Sequence, residues 1–154
     1  MFQPLPLLPC ARQSATMQRA SLRRIIVADD AYAEGLKIRK AVLGEEYVNR
    51  ALSNLNSFNK PLQELVTEYC WGKVWGRPGL DRRQRSMLNL AMISVLNRPH
   101  ELKAHIRGAL TNGLTPQEIC EIFLQVAIYA GVPAAVDSFR IANECFAENG
   151  VNIS

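Results

Sequence analysis

No two cysteines of this sequence form a Cys-x-x-Cys pair, and there are only four: Cys10, Cys70, Cys120 and Cys145. That scatter excludes a local dithiol motif, and with only two histidines it offers no zinc-ligand spacing. The thiols are expected to be free, in a reducing compartment, because a chain of this size builds a core without disulfide staples. Long apolar runs are missing as well; none approaches the ~18–20 residues of a membrane helix. Strand-like alternation of period two is absent, as are internal repeats and low-complexity tracts. The first 28 residues contain no acid, yet Arg12, Arg19, Arg23 and Arg24 fall there. Setting those four aside leaves 14 basic residues against 14 acids, so the net charge of +4 belongs to that segment. The remainder is neutral, which argues against nucleic acid as a partner.

What remains is an ordinary globular composition, 48% apolar and 21% charged. Residues 29–150 are expected to form one helical domain and residues 1–28 an N-terminal extension. The extension reads as disordered, as a targeting segment or as an upstream start. Pro4, Pro6 and Pro9 spoil an amphipathic presequence at its beginning, so a cytoplasmic location is expected, with mitochondrial import as the alternative.

The spacing predicts an all-α antiparallel bundle. Asp29 or Asp30 caps a first helix through Tyr32, Leu36, Ile38 and Val42, ending near Gly44. A short helix over 45–52 and a polar loop over 54–59 follow. Pro61 opens the next helix, whose expected apolar stripe is Leu62, Leu65, Val66 and Tyr69, continued by Trp71 and Trp75. Gly76-Arg77-Pro78-Gly79 breaks it. Asp81 and Gln84 then form a capping-box start for a helix apolar nearly all round, expected at the centre of the bundle. Pro99 opens and Gly113 closes another helix. Thr115 and Glu118 make a second capping box, followed by Ile119, Ile122, Phe123, Val126 and Tyr129. A last helix runs from about Pro133 to Glu148. Helices this apolar exceed what one small domain covers, which favours a homo-oligomer.

The Pro99–Gly113 helix carries both histidines. Glu101 lies four residues before His105, on one helix face, so a carboxylate stands beside an imidazole by local geometry alone. His105 reads either as a satisfied core histidine or as an acid–base group oriented by Glu101. His100 lies in the first turn, where it reads as a solvated residue or a minor substrate contact. Arg77, Arg82, Arg83 and Arg85 surround the Pro78-Gly79 turn. They read as a solvated face or as a carboxylate-binding site, because guanidinium groups hold carboxylates bidentately. Trp71 and Trp75 could wall an organic-acid pocket or simply fill a core.

Three blocks carry a resemblance: Glu68-Tyr69-Cys70-Trp71-Gly72-Lys73-Val74-Trp75-Gly76-Arg77-Pro78-Gly79-Leu80-Asp81-Arg82-Arg83 with Arg85-Ser86, then Glu101 to Arg107, then Gln125 to Ala135. In content and order they resemble the carboxymuconolactone decarboxylase family, within the alkylhydroperoxidase-like fold, over about residues 30–150. The resemblance implies decarboxylation of 4-carboxymuconolactone to 3-oxoadipate enol-lactone, in the protocatechuate branch of aromatic catabolism. The departing carboxylate stands γ to an unsaturated lactone carbonyl, which can take up the electron pair. No cofactor and no metal are therefore implied. The implied roles are His105 as general acid/base, Glu101 as its orienting partner, and Arg85 with Arg77 or Arg82 as carboxylate anchors. Trp71, Trp75 and His100 are further substrate contacts, and a trimer or hexamer is the expected assembly.

Thiol-dependent reductases of the same fold carry Cys-x-x-Cys where this sequence has Arg98 and Glu101, so peroxidase chemistry is not expected. Three alternatives stay open: another lactone or small organic acid as substrate, a redox protein using other thiols, or a non-catalytic oligomeric scaffold.

Overall fold

A computed structural model describes residues 30–153. The expected N-terminal extension, Cys10 and the Asp29 cap lie outside the described residues. Those described are all-α, with no strand among them. Helix α1 spans 30–43, α2 Glu45–Ser53 and α3 Lys60–Leu65. Without interruption α3 becomes a π-helical segment, Val66–Trp75. Four longer helices follow: α4 Arg82–Val95, α5 Pro99–Thr111, α6 Pro116–Ala130 and α7 Val132–Glu148.

Local signals set the helix starts. Asp81 accepts from the Gln84 backbone N–H while the Gln84 side chain accepts from the Asp81 N–H. Thr115 and Glu118 repeat the device on α6. Each such cap is worth ~1 kcal/mol. Gly113, with φ 88°, ends α5 in a conformation that side chains with a Cβ avoid.

Helices α4 to α7 enclose the main core, in which Leu90, Leu102, Ile106, Ile119 and Phe123 are almost wholly buried. A second, smaller core joins Ile38 and Val42 of α1 to Trp71 and Trp75 of the π segment. The two backbones there nearly touch. A Cβ on Gly35 would stand 2.0 Å from the Thr67 carbonyl oxygen, and one on Gly72 would stand 2.1 Å from that of Ala31. On the other side, Val42 packs against Gly108 of α5. Helix α1 is thus wedged between the π segment and α5.

The expected stripe on the third helix is corrected. Leu62, Leu65 and Tyr69 are each 58% exposed, and the buried positions are Thr67, Trp71 and Trp75. Helix α3, which carries Leu62 and Leu65, buries none of its residues. Beyond it a π turn holds more residues than the 3.6 of an α-helix, so every fourth residue, 67, 71 and 75, lines up and Tyr69 turns to solvent. Helix α4 does pack against α5, α6 and α7. One of its faces stays open, however, with Leu88, Met92 and Val95 exposed. Tyr129, expected in the core, is 80% exposed beside them, and Val136 of α7 is also exposed. Between α4 and α6 lies an apolar groove of about 520 Å³, lined among others by Met92, Val95, Leu96, Val126, Tyr129 and Ala130. No helix of the described residues is long and apolar enough to cross a membrane.

The α1 contact leaves no room for a methyl group, because the colliding atoms are backbone. Gly72→Ala is expected to destabilise the fold by about 3 kcal/mol or more, at or above the upper end of overpacking costs. Urea unfolding followed by far-UV circular dichroism measures this. A wild-type midpoint would show that the two backbones are not in contact.

Candidate active site

Helix α5 begins at Pro99 and turns Leu102, Ile106 and Ala109 into the main core. His105 falls at the edge of that buried face and is half-buried. Its ring lies parallel to the indole of Trp71, 6.3 Å between centroids and 4° between planes. Trp71 in turn meets Trp75 at 4.7 Å, tilted by 36°. Both tryptophans are almost wholly buried. The structure therefore brings together three of the anticipated residues, His105, Trp71 and Trp75, in one aromatic stack of offset geometry.

Burial pushes the His105 imidazole below its ordinary 6.5, and the Glu101 charge pulls it back in part. Among the described residues no hydrogen bond or ion pair joins Glu101 to His105; the carboxylate is exposed and acts through its field. Burial thus favours the neutral ring, and negative charge nearby favours the protonated one.

The anticipated arginines divide. Arg85 is half-buried on the first turns of α4 and donates from Nη2 to the Arg77 carbonyl oxygen at 3.1 Å. Its Nε is buried without a partner. Arg77 and Arg82 are exposed, and what they give the local structure is backbone carbonyls, Arg82's to Asn112 Nδ2 at 3.4 Å. Arg83 is tied down: it donates to Glu118 Oε1 and to the Gly113 carbonyl, joining the starts of α4 and α6. Arg85 is thus the half-buried member of the anchoring set with donor capacity to spare.

His100 is not brought to this stack. On α5, positions 100, 103 and 107 recur along the side turned away from 105. There His100 lines a separate cleft with Lys103 and Arg107.

One residue escaped the sequence. Arg39 is only 6% exposed and donates from Nη1 to Thr67 Oγ1 at 3.0 Å, while its Nε has no partner. In the run Lys37-Ile38-Arg39-Lys40 it looks solvated. The available signal was its place one turn after Gly35, on the side of α1 that meets the π segment. Cys70, Cys120 and Cys145 are free thiols, and no group of three or more potential metal ligands occurs among the described residues.

The chain matches the carboxymuconolactone decarboxylase family over residues 60–144. It is 42% identical over 120 residues to the 4-carboxymuconolactone decarboxylase of Acinetobacter baylyi, covering 78% of this chain and 90% of that protein. It is 48% identical over 113 residues to the nitrosuccinic acid decarboxylase npaB of Metarhizium robertsii, covering 73% and 79%. An enzyme of the carboxy-lyase class is thereby defined. The chain belongs to the carboxymuconolactone decarboxylase family.

Because burial outweighs the Glu101 charge, His105 is expected to titrate below 6.5. Glu101→Gln removes the one raising influence and should lower the value further. The folded ring binds protons less readily than the unfolded one, so its contribution to stability is greatest above 6.5. That contribution should fall as pH drops from there towards the folded value. Imidazole NMR titration of both proteins checks the order; an upward shift in Glu101→Gln would contradict it.

Proposed function

We propose that this decarboxylase acts on a small dicarboxylic acid whose own substituent accepts the electron pair, with 4-carboxymuconolactone as the first candidate. The half-buried, neutral His105 stacked on Trp71 carries this reading. Loss of CO₂ from the carbon γ to the lactone carbonyl sends the C–C bonding pair through the double bond to oxygen. The resulting dienolate then needs one proton on carbon. A dianionic substrate next to His105 favours the imidazolium, so the ring takes up a solvent proton as substrate binds and delivers it once CO₂ has left. One proton is consumed per turnover, and His105 ends neutral. Arg85 supplies a guanidinium for the carboxylate that stays, and Trp71 and Trp75 form an apolar wall. Glu101 holds the proton on the ring through its field.

A second substrate has a specific observation behind it, the 48% identity to a nitrosuccinic acid decarboxylase. Nitrosuccinic acid is also a dicarboxylic acid with an electron acceptor, a nitro group, beside one carboxylate. The same proton donor and anion holder would serve both.

We further infer that the open faces of α4, α6 and α7 meet in a homo-oligomer. Met92→Glu in the apolar groove is expected to reduce the molar mass seen by sedimentation. A wild-type protein that already sediments as a monomer would refute this assembly.

Assaying both acids without added cofactor tests the chemistry. His105→Gln should lower kcat by roughly 10²-fold or more, the usual range for losing a proton donor. Arg85→Lys should mainly raise KM, by about tenfold, as expected for a lost bidentate contact. Near-normal turnover by folded His105→Gln removes His105 from the mechanism.

A further inference from the structure

The side of α5 turned away from His105 faces a cleft of about 510 Å³, closed by the end of α1, by α2 and by the end of α7. That is the size range of small-molecule sites. Four potentially cationic side chains line it, Arg50, His100, Lys103 and Arg107, with two acids, Glu46 and Glu148. The acids are already engaged. Arg50 Nη2 meets Glu46 Oε1 at 2.6 Å, and Lys103 Nζ meets Glu148 Oε1 at 2.6 Å. Arg107 is left over. Its guanidinium lies over the Tyr47 ring, 5.7 Å from the centroid. No carboxylate pairs with it among the described residues, and its Nε is buried with no partner. A partly buried guanidinium fixed on a ring and lacking a counter-ion is prepared for a planar or tetrahedral oxyanion. His100, on the same side of the helix, adds a second donor.

We propose that this cleft is a second binding site, for a small molecule carrying a carboxylate or phosphate. Arg107 and His100 hold the anionic end, and Tyr47 and Leu43 cover the remainder. The site is distinct from the candidate reaction centre, because α5 stands between them. Its occupancy does not depend on which acid the enzyme decarboxylates.

The chain has two histidines, one in each place, so imidazole resonances report the two sites separately. The full-length enzyme is titrated at fixed pH and ionic strength with inorganic phosphate and, separately, with succinate. The His100 resonances should shift saturably with at least one of them, while phosphate leaves His105 in place. Whichever anion saturates at the lower concentration names the chemistry. Arg107→Gln should weaken that saturation by about tenfold or more, the loss of one charge-assisted pair. Matching shifts with sodium chloride, no shift of His100 with either anion, or unchanged saturation in folded Arg107→Gln would each overturn the proposal. The wild-type titration decides the matter even if that variant does not fold.

Discussion

The backbone contact between α1 and the π segment governs the geometry of the candidate site. At Gly35 and Gly72 each chain runs where the other's Cβ would be. That approach brings Ile38 and Val42 against Trp71 and Trp75 and closes the second core. The same helix packs Val42 onto Gly108, one turn beyond His105 on α5. Helix α1 thus touches both the segment that carries Trp71 and the helix that carries His105, whose rings lie near-parallel. Arg39 adds a polar tie along the same seam, through Thr67. A buried cation there is costly unless hydrogen-bonded, so the Thr67 hydroxyl offsets part of what burial removes.

Electrostatically, α5 separates two environments. One side carries an imidazole whose burial outweighs the pull of Glu101. The other side carries Lys103 and Arg107, of which the first is neutralised by Glu148 and the second is not. A helix of 13 residues can do this because a 3.6-residue turn sends positions two apart to nearly opposite sides.

The legible parts of the fold were those set locally. The capping boxes at Asp81 and Thr115, Pro99 and Gly113 each depend on residues within one turn, and the structure has all of them. The family was legible in three sequence blocks for a similar reason: block order and content do not depend on the helix period. The stripe Leu62, Leu65, Tyr69 was misread because α3 buries none of its residues and the backbone that carries Tyr69 winds more widely than an α turn. Arg39 was invisible because its burial follows from Gly35, and a glycine does not announce what approaches it. The His105–Trp71 meeting joins residues 34 positions apart, which no spacing rule reaches. The division of α5, by contrast, was available from the spacing of 100, 103, 105 and 107. Grouping both histidines by proximity along the chain concealed it.

The two named relatives bear on what such a site must supply. A lactone and a nitro acid share little shape, but each holds its own electron acceptor and two carboxylates. On the reading proposed above, the enzyme then contributes a proton and a fixed positive charge, and the bond-breaking electrons never pass through a protein group. Such a site needs His105 at constant geometry, which the glycine contact enforces. It does not need a pocket complementary to one acceptor group. Discrimination between acids is then the task of side chains outside the wedge, Arg85 foremost, since its unfilled Nε leaves it donors to redirect. On that reading the rigid and the adjustable parts of the site belong to different elements, α1 with the π segment and α4. The chemistry can therefore stay fixed while the substrate changes.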